Sequence, residues 1–475
     1  MNTLRSLETV DPSVKPEELF KFICKRQPVV IKGLPDDENF KARRWTDLDY
    51  LSSRAGDIEV LVEPIHPTSK QYGTDVERIP MPFREFITSL RSSDEPHLYL
   101  TTQYSEQDED QHTVLPPPAC ALADDFPTVP RIMGNLCLQQ VNLWVGKSQE
   151  GSTSGLHHDF HDNLYCLLQG RKRFVLYPPQ EVENLYPYGN LDNLYSNDLI
   201  SYKDAPVRSD GLPVRVALQA RIKAIEQKLE AMRKGKGKDK TASKDRKALM
   251  ELYDQALDEL AQMTLDGEGG FDINDEVDDF DALMARMDRD DGDPDEAGPS
   301  GLSGGHDEDD EEDDDEDEAD DEEGEGLVAD NIDENAHKEP SSFSRIPTAL
   351  VHQHLNLPTT AVPPTETSLS DFPNFTKAST PYIVELNAGE MLYLPASWWH
   401  EVTSSSGNGN GIHMAFNYWF YPPTGDSFKQ PYEDTLIWEY LRQQNVDKAI
   451  EESLENGKKR KSVGSALQEK KKIRQ

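Results

Sequence analysis

Cysteine is scarce in this chain of 475 residues: four occur, Cys24, Cys120, Cys137 and Cys166, and no two form a CxxC pair. That spacing excludes a zinc ribbon and argues against a secreted disulfide scaffold. No long apolar run is present, and Met1-Asn-Thr-Leu-Arg-Ser lacks the charged-then-apolar pattern of a secretory signal. A soluble, non-membrane protein of a reducing compartment is expected. Apolar residues are sparse too, at 36% with a mean hydropathy of −0.73, too few for an evenly distributed core. The deficit is local. Between Asp266 and Pro340 stand 35 acidic residues against three Lys or Arg, a net of −32 out of −40, which leaves about −8 for everything else.

The acidity peaks at Asp307 to Glu325, where 17 of 19 residues are Asp or Glu. Such a run repels itself, buries almost nothing and is expected to be disordered. Two roles stay open: a solvating spacer, or an electrostatic lure for basic partners such as ribosomal proteins, histones or Lys-rich factors. Upstream, Leu218, Ile222, Ile225, Leu229 and Met232 recur at 4-3-4-3 spacing. Leu249, Tyr253, Ala256, Leu260 and Met263 repeat that rhythm after the breaker Lys234 to Lys240, which predicts an antiparallel helical hairpin over about 214–264. Residues 205–342 therefore read as an insertion, the hairpin followed by a disordered acidic stretch at 266–340. A long inserted loop adds little closure entropy.

Around the insertion the chain reads mostly β. A short helix at Leu19 to Lys25 precedes a strand at Pro28 to Lys32. Further strands are predicted at Leu98 to Gln103, Leu136 to Val145, Leu164 to Leu168, Arg173 to Tyr177, Tyr382 to Leu386, Glu390 to Leu394 and His413 to Phe420, bounded by Gly, Pro and Asn. Many short strands without βα alternation favour an antiparallel barrel or jelly roll. The expected organisation is 1–204 with the first half of the barrel, the insertion at 205–342, the second half at 343–425, a helical region at 426–456 and a basic tail at 457–475. In the tail, Lys458-Lys-Arg-Lys461 and Lys470-Lys-Lys472 resemble a bipartite nuclear import signal, or a patch for nucleic acid or for the acidic loop. A nuclear or cytoplasmic location is expected.

Two segments carry the chemistry. In Ser154-Gly-Leu-His-His-Asp159, His157 and Asp159 stand two apart, so on a strand both leave one face. In Gly389-Glu-Met-Leu-Tyr-Leu-Pro-Ala-Ser-Trp-Trp-His400, His400 follows an apolar run that could bring it to the same ion from a second strand. Two imidazoles and one carboxylate on one face leave three positions open, the arrangement of non-haem Fe(II) oxygenases. A lone His-x-Asp carries little weight, and His158 and His161 leave a zinc site open. Lys172 sits within Arg171-Lys172-Arg173, a run that by itself is more often a solvated face. Trp398 and Trp399 read as packing residues, one ring over the core and the other at a pocket mouth.

Taken whole, Leu156 to Pro179 resembles the metal-binding half of the JmjC proteins, the cupin-type 2-oxoglutarate oxygenases. Gly389 to His400 and Asn417-Tyr-Trp-Phe-Tyr421 resemble the other half. The likeness runs from Pro28-Val-Val-Ile-Lys-Gly33 through Trp45 to Pro422, the insertion apart, and is greatest to the small JmjC-only hydroxylases with lysyl hydroxylase activity. It implies a mainly β fold, the double-stranded β-helix or cupin barrel with flanking helices and a C-terminal helix. It also implies His157, Asp159 and His400 as ligands of Fe(II). Lys172 would pair with the distal carboxylate of 2-oxoglutarate, with Ser154 and Tyr99 beside it. Asn163 and Asn417 would lie near the co-substrate's metal-binding end. For Tyr99 and the two Asn, a core or turn role stays open.

The activity so implied consumes 2-oxoglutarate and O₂, releases succinate, and oxidises a C–H bond of a protein side chain, lysine foremost. Its protein substrate would suit the acidic insertion if Lys-rich or basic. A histone lysine demethylase and a hydroxylase of a modified tRNA base are alternatives of the same chemistry; a catalytically silent cupin scaffold is one of another class. Nucleic acid as partner is not favoured. The segment Tyr432 to Leu454 reads as a helix with Leu436, Ile437 and Tyr440 on its apolar face, which would serve a homodimer or pack on its own barrel.

Overall fold

The computed structural model describes residues 5–67, 71–72, 76–92, 98–103, 114–148, 151–234, 240–265, 340–358, 362, 365–406 and 411–444. The acidic run and both basic clusters lie outside the described residues. Two sheets face one another. The larger has nine strands in the spatial order Glu8–Val10, Val29–Ile31, Met391–Leu394, Asp162–Gln169, Ile412–Phe420, Leu138–Lys147, Leu98–Leu100, Glu59–Pro64 and Ile79–Pro82. The smaller runs Tyr382–Asn387, Arg171–Tyr177, Trp399–Ser405, Ser152–Thr153. Among the described residues the strand pairings in these sheets are antiparallel except Glu8–Val10 on Val29–Ile31. The fold is the mainly β cupin barrel.

Period-two alternation sorts the side chains into three layers. Tyr165, Leu167, Phe174, Leu176, Leu392, Leu394 and Ala415 point between the sheets and pack as one cluster. Their neighbours Leu164, Cys166, Met391, Tyr393, Phe416 and Tyr418 face the other way, onto Trp45, Phe126 and the N-terminal helices. Val175, Tyr177 and Trp399 line the outer face of the smaller sheet under Ile346, Leu350 and Val351. Consecutive residues of one strand thus serve different cores.

Several element boundaries differ from the sequence-based ones. The first helix spans Pro16–Cys24, because a proline at its first position has no amide hydrogen to lose. The predicted strand Leu98 to Gln103 stops at Leu100. Beyond it the Gln103 side chain replaces the backbone, accepting from Leu61 N and donating to Leu61 O, both at 2.8 Å. The inserted hairpin is Val214–Lys234 with Lys240–Leu265. Leu218, Ile222, Ile225 and Leu229 meet Tyr253, Ala256 and Leu260 in its seam, while Ala217 and Ala220 join the barrel-side core. Residues 435–444 are helical. Their apolar face is covered by the chain itself, Leu436 on the hairpin and Ile437 and Trp438 on the barrel-side core. Helix Thr348–Leu355 has no counterpart in the sequence reading.

Candidate metal centre and co-substrate pocket

His157 and His400 are joined backbone to backbone: His157 N donates to His400 O at 3.0 Å and His400 N to His157 O at 2.7 Å. The two halves of the motif, 241 residues apart in Asp159-to-His400 order, are thereby locked as one antiparallel pair. Ligand atoms of His157, Asp159 and His400 lie within 4.8 Å of one another. His157 Nδ1 donates to Gly155 O at 3.2 Å and His400 Nδ1 to Trp398 O at 2.8 Å. Carbonyls only accept, so both Nδ1 atoms carry hydrogen and both Nε2 lone pairs remain for a metal. Gly155 adopts φ +75°, a conformation suited to glycine, and this aims its carbonyl at His157.

The electrostatics suit a cation. Burial, then repulsion from His400, lowers His157 to about 4 despite the pull of Asp159. Burial lowers His400 to about 4 as well. Both rings are neutral ligands at pH 7. Burial raises the Asp159 carboxyl above its ordinary range, opposed by His157 and by a hydrogen bond from Asn163. That bond ends a relay. Trp144 Nε1 donates to Asn417 Oδ1 at 2.8 Å, and Asn417 Nδ2 donates to Asn163 Oδ1 at 3.0 Å. The Asn163 amide hydrogens are thereby turned towards Asp159. His158 points the other way, its Nε2 2.8 Å from Tyr202 Oη, and burial lowers it to about 3. His161 packs on Trp419 and Tyr421. Neither is part of the ligand cluster.

Below the triad a cavity of about 310 Å³ reaches Lys172. Only 1% of Lys172 is exposed, so it is not the solvated cation that Arg171-Lys172-Arg173 suggests in isolation. Strand alternation turns Arg171 and Arg173 outward and Lys172 inward. Its Nζ donates to Tyr99 Oη at 3.3 Å and to Ser404 Oγ. Burial lowers the ammonium to about 7 and raises the Tyr99 phenol. Tyr99 lies flat because its neighbour is glycine: a Cβ on Gly146 would come within 2.5 Å of Tyr99 Cδ2. Ser154 lines the cavity, with its hydroxyl engaged by main chain, donating to Gly155 O at 3.2 Å and accepting from Val402 N at 3.4 Å. The serine hydroxyl bonded to Lys172, beside the Tyr99 phenol, is that of Ser404. It could have been found in the sequence, since His400, Val402 and Ser404 share one strand face.

The tryptophans before His400 do not divide as expected. Trp398 packs between the sheets with Nε1 donating to Arg26 O at 2.9 Å, and Trp399 packs on the outer face of the smaller sheet. The cavity walls are Trp144, Trp419 and Phe343 instead. Pro340, which the sequence reading assigned to the insertion, also lines the cavity. Asp162 serves structure: Arg26 grips both its oxygens, at 2.8 and 2.6 Å, while Tyr393 Oη and Ala396 N donate to it at 2.8 and 2.9 Å.

A barrel of this kind, with a facial His, Asp, His set above a buried lysine, defines the class of cupin-like oxygenases. The chain belongs to the cupin-like domain family, JmjC type: the family profile described as "Cupin-like domain" matches residues 16–426. It is 35% identical over 463 residues to the JmjC domain-containing protein 4 of Schizosaccharomyces pombe, covering 94% of this chain and 90% of that protein. It is 30% identical over 176 residues to the lysine-specific demethylase JMJ31 of Arabidopsis thaliana, 31% of each chain. It is 25% identical over 170 residues to the human bifunctional peptidase and (3S)-lysyl hydroxylase JMJD7, 34% of this chain and 50% of that one. The last two likenesses span a third to a half of those proteins. JmjC members are Fe(II)- and 2-oxoglutarate-dependent oxygenases.

Proposed function

We propose that this chain hydroxylates a protein side chain, lysine foremost, using Fe(II), 2-oxoglutarate and O₂. The observation that carries the reading is Lys172. A lysine with 1% exposure, hydrogen-bonded to the Tyr99 and Ser404 hydroxyls, at the end of a cavity that starts at the triad, suits the distal carboxylate of a dianion whose other end meets the metal. His157, Asp159 and His400 fit Fe(II) by donor set, spacing and protonation. When bound, the metal supplies the O₂ activation coupled to 2-oxoglutarate decarboxylation that marks the family.

The chain's own residues then have distinct tasks. Lys172, Tyr99 and Ser404 hold and orient the distal carboxylate. Asn163, Asn417 and Trp144 fix the plane of Asp159. Trp144, Trp419 and Phe343 exclude water from the reacting end, which strengthens the polar contacts inside. For partners, the reading extends to a basic protein segment drawn by the acidic insertion, and for location to nuclear import through the basic tail. The likeness to a protein named lysine-specific demethylase favours a second reading, oxidation of an N-methyl group by the same site. Incubation of the full chain with Fe(II), 2-oxoglutarate and Lys-rich or methyl-lysine peptides separates the two. Hydroxylation gives a product about 16 Da heavier, and demethylation releases formaldehyde. Succinate formation that no peptide stimulates, with neither product, would overturn both.

A further inference from the structure

The chain returns from the acidic insertion through residues 340–355, and this stretch is packed against the supports of both imidazoles of the triad. Ser342 O accepts from His158 N at 3.1 Å and Leu156 O from Ser344 N at 2.9 Å. Between those bonds Phe343 pairs antiparallel with His157. The two rings stack with centroids 4.8 Å apart and planes 19° apart. One face of the His157 imidazole is therefore set by an aromatic plate, while its edge is set by the Gly155 carbonyl.

The second contact reaches His400 from behind. On strand Trp399–Ser405, His400 faces the cavity, and Glu401, the next residue, faces the opposite side with no exposed surface. Glu401 Oε1 accepts from Thr153 Oγ1 and Thr403 Oγ1, both at 2.7 Å. Its Oε2 lies 3.3 Å from Nε2 of His352, a fully buried residue of helix Thr348–Leu355. His352 Nδ1 donates to Pro358 O at 3.0 Å, which leaves on Nε2 a lone pair that accepts from Arg173 Nη2 at 3.3 Å. Arg173 also donates to Thr403 Oγ1 at 2.8 Å. The carboxylate one residue from His400 is thus tied to a neighbouring strand and to its own, and Arg173 links Thr403 of that strand to His352 of the helix. A slide or twist of the His400 strand would break those bonds inside a dry core, where each orphaned polar group costs more than its bond contributes.

We propose that two residues of this return path, Phe343 and His352, position the metal centre: Phe343 sets the plane of His157, and His352, through the chain Arg173, Thr403 and Glu401, fixes the strand that presents His400. This rests on His157, Asp159 and His400 being the metal ligands. Outer residues that orient a ligand typically change metal affinity by about 10- to 100-fold when replaced. Phe343 also walls the cavity, so the readout is the metal with no co-substrate added.

The test uses the full chain loaded with Co(II), whose visible band reports ligand geometry, and compares affinity, band and Tm. Phe343→Leu and His352→Gln should each weaken Co(II) binding about tenfold or more and alter the band. Phe343→Tyr should restore both. Leu350→Ala, a cavity in the same helix packed in the outer core of the smaller sheet, should lower Tm without moving either. Glu401→Gln, nearly the same shape, replaces His352→Gln should that variant not fold. Affinity and band in Phe343→Leu and His352→Gln that match Leu350→Ala would overturn the positioning role while leaving the ligands in place. Wild-type protein that binds no Co(II), or His157→Ala that binds it as well, would refute the ligand assignment and the proposal together.

Discussion

Binding of 2-oxoglutarate should draw a proton from solution, and the source of the effect is one side chain. In the free protein burial holds the Lys172 ammonium at about 7, so it is half protonated at pH 7 and about a tenth protonated at pH 8. A carboxylate placed against Nζ favours the charged form and raises that value, so the complex keeps the proton throughout. Uptake should be about half a proton at pH 7 and about 0.9 at pH 8. Apparent affinity should fall about fivefold from pH 7 to 8 and change less than about twofold from pH 7 down to 6. His157 and His400, both near 4, stay neutral over this window and add no slope. The free fold shows the matching sign. Lys172 lies below its unfolded value of 10.5, so stability rises between pH 7 and 10.5, where only the unfolded chain keeps the proton. Anaerobic calorimetry with Fe(II)-loaded protein, in buffers of different ionisation enthalpy, counts the protons directly. Lys172→Arg, charged at every pH, should bind more weakly and without the slope. An enthalpy independent of buffer, affinity flat from pH 7 to 8, or an unchanged slope in Lys172→Met would refute the reasoning.

Replacing His157, Asp159 or His400 by Ala should abolish Fe(II)-dependent turnover with unchanged circular dichroism, whereas His161→Ala should keep most of it; full activity in Asp159→Ala would contradict the triad. Trp144→Phe removes the first donor of the relay to Asp159 and should lower 2-oxoglutarate turnover more than it lowers Tm, read by succinate release beside a melting curve. Arg26→Ala strands Asp162 in a site with no exposed surface and should cost about 3–5 kcal/mol in denaturant unfolding, the range for breaking a buried ion pair. Exchanging residues 267–338 for a short flexible linker, with Pro340 kept at the cavity wall, should leave uncoupled decarboxylation intact. If the acidic run recruits a basic substrate, stopped-flow association should slow in that variant, and the gap should close as salt rises; equal rates at low salt would leave the run a spacer.

What the sequence displayed was whatever repeats. The period of two exposed the strands, and the 4-3-4-3 rhythm at Leu218 to Met232 exposed the hairpin whose seam Leu218, Ile222, Ile225 and Leu229 enter. The cluster of His157, Asp159 and His400 was legible because a short motif, His-x-Asp, places two of its members on one face. What stayed hidden depends on contacts between distant residues with no local signature. Gln103 ending a strand by imitating its neighbour's backbone looks like any polar residue in a loop. Helix Thr348–Leu355 is two turns long and buries its first five residues in a row, too short for a periodic signal to emerge. Arg26 and Asp162 stand 136 residues apart, and nothing near either announces that a charge will be fully enclosed.

The strand Trp399–Ser405 shows why site and scaffold are hard to separate in such a barrel. Its inward residues, His400, Val402 and Ser404, supply a member of the His157, Asp159, His400 cluster, a wall and a partner of Lys172. Its outward residues, Glu401 and Thr403, supply the bonds that hold the strand in register. A change on either face moves the other, because the backbone between them is shared and pinned at His157. Substitutions on the outward face should therefore show up first as altered metal binding and only later as lost stability. The long insertion is compatible with this site for a related reason: its return path ends in bonds to Leu156 and His158, on either side of His157, so the length of the acidic stretch is free to change while the residues that make those bonds are not.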